Sequence, residues 1–90
     1  MLQFEELRLE LLSYEDKLKD LAEALGLQKM KDEVAELEAE SAKDGFWDDM
    51  QRSQKITQHM ASLKNKINAY EDLKASFEDT LTLIDLANEE

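Results

Sequence analysis

Two stretches of this chain carry side chains that could bind something or do chemistry. The first is the corner "KDGFWDDM", Lys43 to Met50, where Phe46 and Trp47 stand side by side between Gly45 and the acids Asp48 and Asp49. Adjacent aromatics can stack a planar ligand, or they can plug the end of a helical bundle, where few residues supply much buried area. The second is Met50 to Tyr70, a window with no acidic residue that holds Arg52, Lys55, Lys64 and Lys66. The chain as a whole carries a net charge of −11, so this basic strip stands out. It could face the phosphates of an RNA, or match the carboxylates of a neighbouring helix and set its register.

Other chemistry has few residues to work with. His59 is the single histidine, so no histidine pair or triad can form. Lying one residue before Met60, it reads as a solvated residue at the edge of an apolar seam. No serine has a histidine and an acid placed to activate it, and neither glycine belongs to a phosphate loop. An EF-hand register with Gly45 sixth would need ligands at Ala42 and Gln51, which supply none. Without cysteine there is neither a disulfide nor a thiolate zinc site. No catalytic, metal-binding or cofactor-binding residue is expected.

The elements that must position the corner and the strip read as helices. Phe4, Leu7, Leu11, Tyr14, Leu18, Leu21 and Leu25 alternate steps of three and four, the seam of a coiled coil. Leu2, Leu9 and Leu12 widen that apolar face. Gly26 follows where a left-handed cap is wanted, so a first helix is expected over 2–25. A shorter one carries Met30, Val34, Leu37 and, in phase but polar, Ser41. The third carries Ile56, Met60, Leu63, Ile67 and Tyr70, then Leu73, Phe77, Leu81 and Ile84. Its irregular steps near Tyr70 compensate one another, so it is expected to continue; a break at Glu71-Asp72 would create a fourth helix.

At the corner, Asp48 is expected to cap the third helix, with Asp49 beside it at the positive end of the helix dipole and Gln51 as a weak capping-box partner. Phe46 and Trp47 are expected to plug the bundle end together. In the strip, Arg52, His59 and Lys66 fall on the flank facing Glu33, Glu38 and Glu40, while Lys55 and Lys64 are expected to point outward. The fold class is thus all-α, a small antiparallel bundle or coiled coil of three helices, four if the last one breaks.

Composition agrees. Ninety residues without proline, 37% charged and 7% aromatic, suit one helical domain, 1–90, with a thin core. No apolar run reaches the ~18 residues of a membrane span, and "MLQFEELRLE" is too acidic for a leader, so a cytoplasmic location is expected.

In this order the elements resemble the N-terminal domain of bacterial peptide chain release factors, in particular those of type 2. The residues that carry the likeness are "KMKDEVAELEAE", the "FWDD" corner of Phe46 to Asp49, "QRSQKITQHMASLKNKINAYEDL" and the acidic end "TLTLIDLANEE". The family often has proline where this chain has Gly45, and "LGLQK" departs from its usual turn. The resemblance implies a fragment of a factor that directs translation termination at stop codons, UGA and UAA if of type 2. It also implies docking on the ribosome at the large-subunit stalk base and its rRNA, in the GTPase-associated region beside the class-II release factor GTPase. The family's releasing Gly-Gly-Gln and codon-reading Ser-Pro-Phe are absent from this chain, which is therefore expected to be no enzyme by itself. The rival expectation is an independent coiled-coil structural or adaptor protein that self-associates.

Overall fold

A computed structural model describes residues 2–89 of the chain, with the backbone alone for Leu2 and Gln3. Leu2's expected share of the apolar face therefore lies outside the described side chains, as does Glu90. The elements are α1 (Leu2–Leu12), α2 (Tyr14–Leu25), α3 (Leu27–Ser41), a 3-10 turn at Phe46–Asp48, and α4 (Met50–Glu89). They form two compact units: Gly26–Ala69, and Met1–Leu25 with Tyr70–Glu90. Helix α4 belongs to both and runs 40 residues without the break considered at Glu71-Asp72. Among the described residues no helix is long and apolar enough to cross a membrane.

The expected first helix is divided at Ser13 into α1 and α2. The Ser13 hydroxyl donates to the Glu10 carbonyl, three residues back, while its N–H is shared between the carbonyls of Leu9 and Glu10. A serine that bonds back onto the preceding turn competes with regular helix geometry and bends it. The second joint is Gly26, at φ 65° and ψ 44°. Only glycine enters that left-handed region without a steric cost, so one residue suffices to end α2 and start α3.

In the unit built from α1, α2 and residues 70–89, the helices run antiparallel. Arg8 pairs with Asp85 at 2.7 Å, and the buried Tyr70 hydroxyl donates to the Leu18 carbonyl at 3.3 Å. Phe4, Leu11, Leu18, Phe77, Leu81 and Ile84 are half-buried along this pairing. The seven-residue seam of α1 and α2 is only half covered, because Leu7, Tyr14, Leu21 and Leu25 stay exposed, as does Leu9. A single facing helix covers one edge of a two-edged stripe. Leu73 is exposed too: three residues beyond Tyr70 at about 100° per residue, it sits roughly 60° off the buried line.

The Gly26–Ala69 unit is a hairpin of α3 and the first half of α4. Its buried side chains are Met30, Phe46, Ser53 and Leu63. Ser53 is 0% exposed, and its hydroxyl donates to the Met50 carbonyl at 3.1 Å. A small residue with its hydroxyl satisfied by its own helix lets α4 pack closely there without stranding a polar atom. Ser53 lies three residues before Ile56 and continues the seam of α4 by one step, a place the apolar pattern alone passes over.

Candidate functional site

The corner follows from a short series of backbone bonds. Helix α3 ends as the Ala42 N–H reaches the carbonyls of Glu38 and Ala39, and Ser41 Oγ donates to Glu38 O at 2.8 Å. Gly45 turns the chain at φ 80°. A β-carbon there would come within 3.2 Å of Asp48 Oδ2, so both the conformation and the space favour glycine. The Phe46 N–H then donates to Lys43 O at 3.2 Å and the Asp48 N–H to Gly45 O at 3.1 Å, closing the 3-10 turn.

That turn separates the two aromatics. Phe46 is 6% exposed and belongs to the core, whereas Trp47 is 58% exposed. The expectation that both rings plug the bundle holds for Phe46 and fails for Trp47. In a 3-10 turn successive side chains leave the axis about 120° apart, so two neighbours cannot enter the same cavity. The indole meets the Phe46 ring edge to face, with centroids 4.9 Å apart and planes at 90°. Met50, also 59% exposed, stands three residues further on at the same corner.

The cap is corrected by one residue. Asp49, not Asp48, accepts the Arg52 N–H on Oδ1 at 3.1 Å, and its carbonyl accepts the Ser53 N–H at 3.0 Å. This is the N-cap geometry for a helix that starts at Met50. Asp48 is taken up by the 3-10 turn and cannot also have the extended backbone of a cap, which Asp49 adopts at φ −102° and ψ 97°.

Along the hairpin the strip meets the acids of α3. Arg52 pairs with Glu40 at 2.8 Å, His59 with Glu33 at 2.7 Å, and Lys64 with Glu38 at 2.9 Å. Glu40 also accepts from Lys43 at 2.9 Å. Its carboxyl is held below the ordinary value of 4.5, first by the Lys43 hydrogen bond and then by that of Arg52. Arg52 and His59 face the helix expected of them, but the two lysines exchange roles. Lys64, expected outward, pairs with Glu38, while Lys66, expected inward, makes no ion pair among the described residues, and nor does Lys55. The register explains the free Lys66. Seven residues on from Arg52 and seven back from Glu40 give His59 opposite Glu33; the next step sets Lys66 opposite Gly26, which has no side chain to offer.

Among the described residues no group of three or more His, Cys, Asp or Glu could hold a metal ion. What the geometry presents is an all-helical arrangement with a charge-paired hairpin and an aromatic held out at its tip. The PCRF domain model matches residues 30–90, a span that includes most of the hairpin and all of its corner. "Peptide chain release factor 2" of Clostridium perfringens is 34% identical over 74 residues, covering 82% of this chain and 20% of that protein. The proteins of the same name from Corynebacterium glutamicum and Petrotoga mobilis are 32% and 27% identical over 90% and 89% of the chain, and 22% and 24% of their own lengths. The chain belongs to the peptide chain release factor family. It spans about a fifth to a quarter of the length of these relatives. No solved structure matches it.

Two outcomes test the corner and the zipper. Phe46→Ala empties a buried aromatic site and should cost about 3–5 kcal/mol, whereas Trp47→Ala should change stability by no more than about 0.5 kcal/mol, as at an exposed position. Urea denaturation followed by circular dichroism reads both, and equal losses would contradict the burial described. For the zipper, Arg52→Glu with Lys64→Glu should lower the denaturation midpoint, with the Lys64 pair alone contributing about 0.2–1 kcal/mol. Adding Glu40→Lys and Glu38→Lys should recover most of that loss, while Lys66→Glu alone leaves the midpoint in place. A reversal set without recovery would mean the pairs do not set the register.

Proposed function

We propose that the chain is the N-terminal docking and positioning domain of a type-2 peptide chain release factor, acting in the cytoplasm in termination at UGA and UAA codons. The observation that carries this reading is the match of residues 30–90, most of the hairpin and the "FWDD" corner included, to a domain of proteins named for peptide release. The chain contains neither Gly-Gly-Gln nor Ser-Pro-Phe, since it has no proline and only two isolated glycines. Its task is therefore to hold the rest of a factor in place rather than to read a codon or cleave an ester. Docking is proposed at the large-subunit stalk base, in the GTPase-associated region beside the class-II factor.

The exposed row Leu7, Tyr14 and Leu21 favours a second reading, an adaptor that pairs through that edge of the helix. One competition experiment separates the two. Ribosomes carrying peptidyl-tRNA at a UGA codon are incubated with excess chain, and then with the full-length release factor 2 of a relative. The chain alone should release no peptide above background, and it should slow release by the full-length factor. Release by the chain itself would overturn the docking role. An unchanged rate with the full-length factor would favour the adaptor.

A further inference from the structure

The zipper takes Arg52, His59 and Lys64 out of the basic strip and leaves only Lys55 and Lys66 without an ion pair among the described residues. Arg52, His59 and Lys64 face Glu40, Glu33 and Glu38, and the carboxylates beside them cancel the field a phosphate would feel. The exposed large apolar side chains of the hairpin lie at its tip. Trp47 and Met50 are two large apolar side chains exposed three residues apart, on a corner whose other aromatic is buried. That corner is not a loose loop. Phe46 in the core, the edge-to-face ring contact, Gly45 in its left-handed conformation and the Asp49 cap all hold the base of the indole in place. A tryptophan presented on a fixed base loses little freedom when it is buried by a partner, which is how a few residues come to dominate an interface.

The charges around the knob select the partner. Asp44 and Asp48 flank it and make no ion pair among the described residues, while the nearest base on that side, Lys43, is held by Glu40. An acidic rim repels phosphates, and a second copy of the chain would bring the same acids against their equals. We infer that Trp47 and Met50 form a docking knob for a protein cleft with an apolar floor and a basic rim, carried by the ribosome's own proteins rather than by its RNA. The inference rests on the docking role proposed above and assigns it to the hairpin tip instead of the strip.

The test measures binding of the whole chain to purified bacterial large ribosomal subunits by co-sedimentation. It compares the wild type with Trp47→Ala, Met50→Ala and the double variant Asp44→Lys with Asp48→Lys, each checked for an unchanged helical melt. Trp47→Ala should weaken binding at least about tenfold, as truncation of an interface anchor does. Met50→Ala should weaken it less, and the double lysine variant should also bind more weakly, since it sets like charges against a basic rim. Tighter binding by the lysine variant would identify RNA as the partner and overturn the inference. Wild-type affinity in Trp47→Ala would overturn it too, leaving the docking role intact. If the wild-type chain does not bind large subunits at all, the docking role and the knob fall together.

Discussion

The chain must reverse direction between Ser41 and Met50, and the way it does so constrains everything in the Gly26–Ala69 unit. Burial of Phe46 draws the corner onto the end of the hairpin, and the left-handed Gly45 makes that approach possible. With the length of the reversal set, the position of Arg52 relative to Glu40 is set as well. His59 then falls opposite Glu33, seven residues on along α4 and seven back along α3. The exposed ion pairs supply little stability themselves; they make neighbouring registers worse, because a shift of α4 against α3 would part each base from its acid.

This constraint decides which surfaces remain to meet a partner. A basic strip reads from the sequence as a phosphate-binding feature or as one half of a zipper, and the structure pairs Arg52, His59 and Lys64 with α3 while Lys55 and Lys66 make no ion pair among the described residues. The 3-10 turn that buries Phe46 must turn Trp47 outward, so a stable corner and an exposed indole have the same geometric origin. The burial of one ring and the exposure of the next are therefore coupled in one tripeptide.

Helical seams, the turn at Gly26, the corner and the resemblance to release factors were all legible in the sequence, because heptad spacing and glycine placement are local signals. The errors fall where a single residue of phase decides the outcome. Which of Phe46 and Trp47 faces inward depends on backbone angles that residue type does not reveal. Asp48 and Asp49 are of the same residue type, and only the 3-10 turn distinguishes the cap. Lys66 has no acid to face because the register reaches Gly26, visible only once the Glu40–Arg52 pair is known. Ser53 was in phase with the seam of α4 but polar, and Ser13 divides a helix whose apolar pattern runs straight through it. The half-covered seam of α1 and α2 shows the opposite limit: periodicity marks an apolar edge without saying whether anything covers it.

Glu40 is where the corner and the register meet, since Lys43 reaches it from one side and Arg52 from the facing helix. Its lowered pKa means that the stabilisation it contributes is fully present above 4.5 and is lost as the pH falls through the lowered value. The direct measurement is a carbon-detected NMR titration of the Glu40 side-chain carboxyl in the folded chain and in Arg52→Gln. The account predicts an inflection below 4.5 in the wild type that moves back up in Arg52→Gln, short of the ordinary value because Lys43 remains. A Glu40 that titrates at 4.5 in both chains would show that Arg52 does not meet it, and that the hairpin closes in some other register.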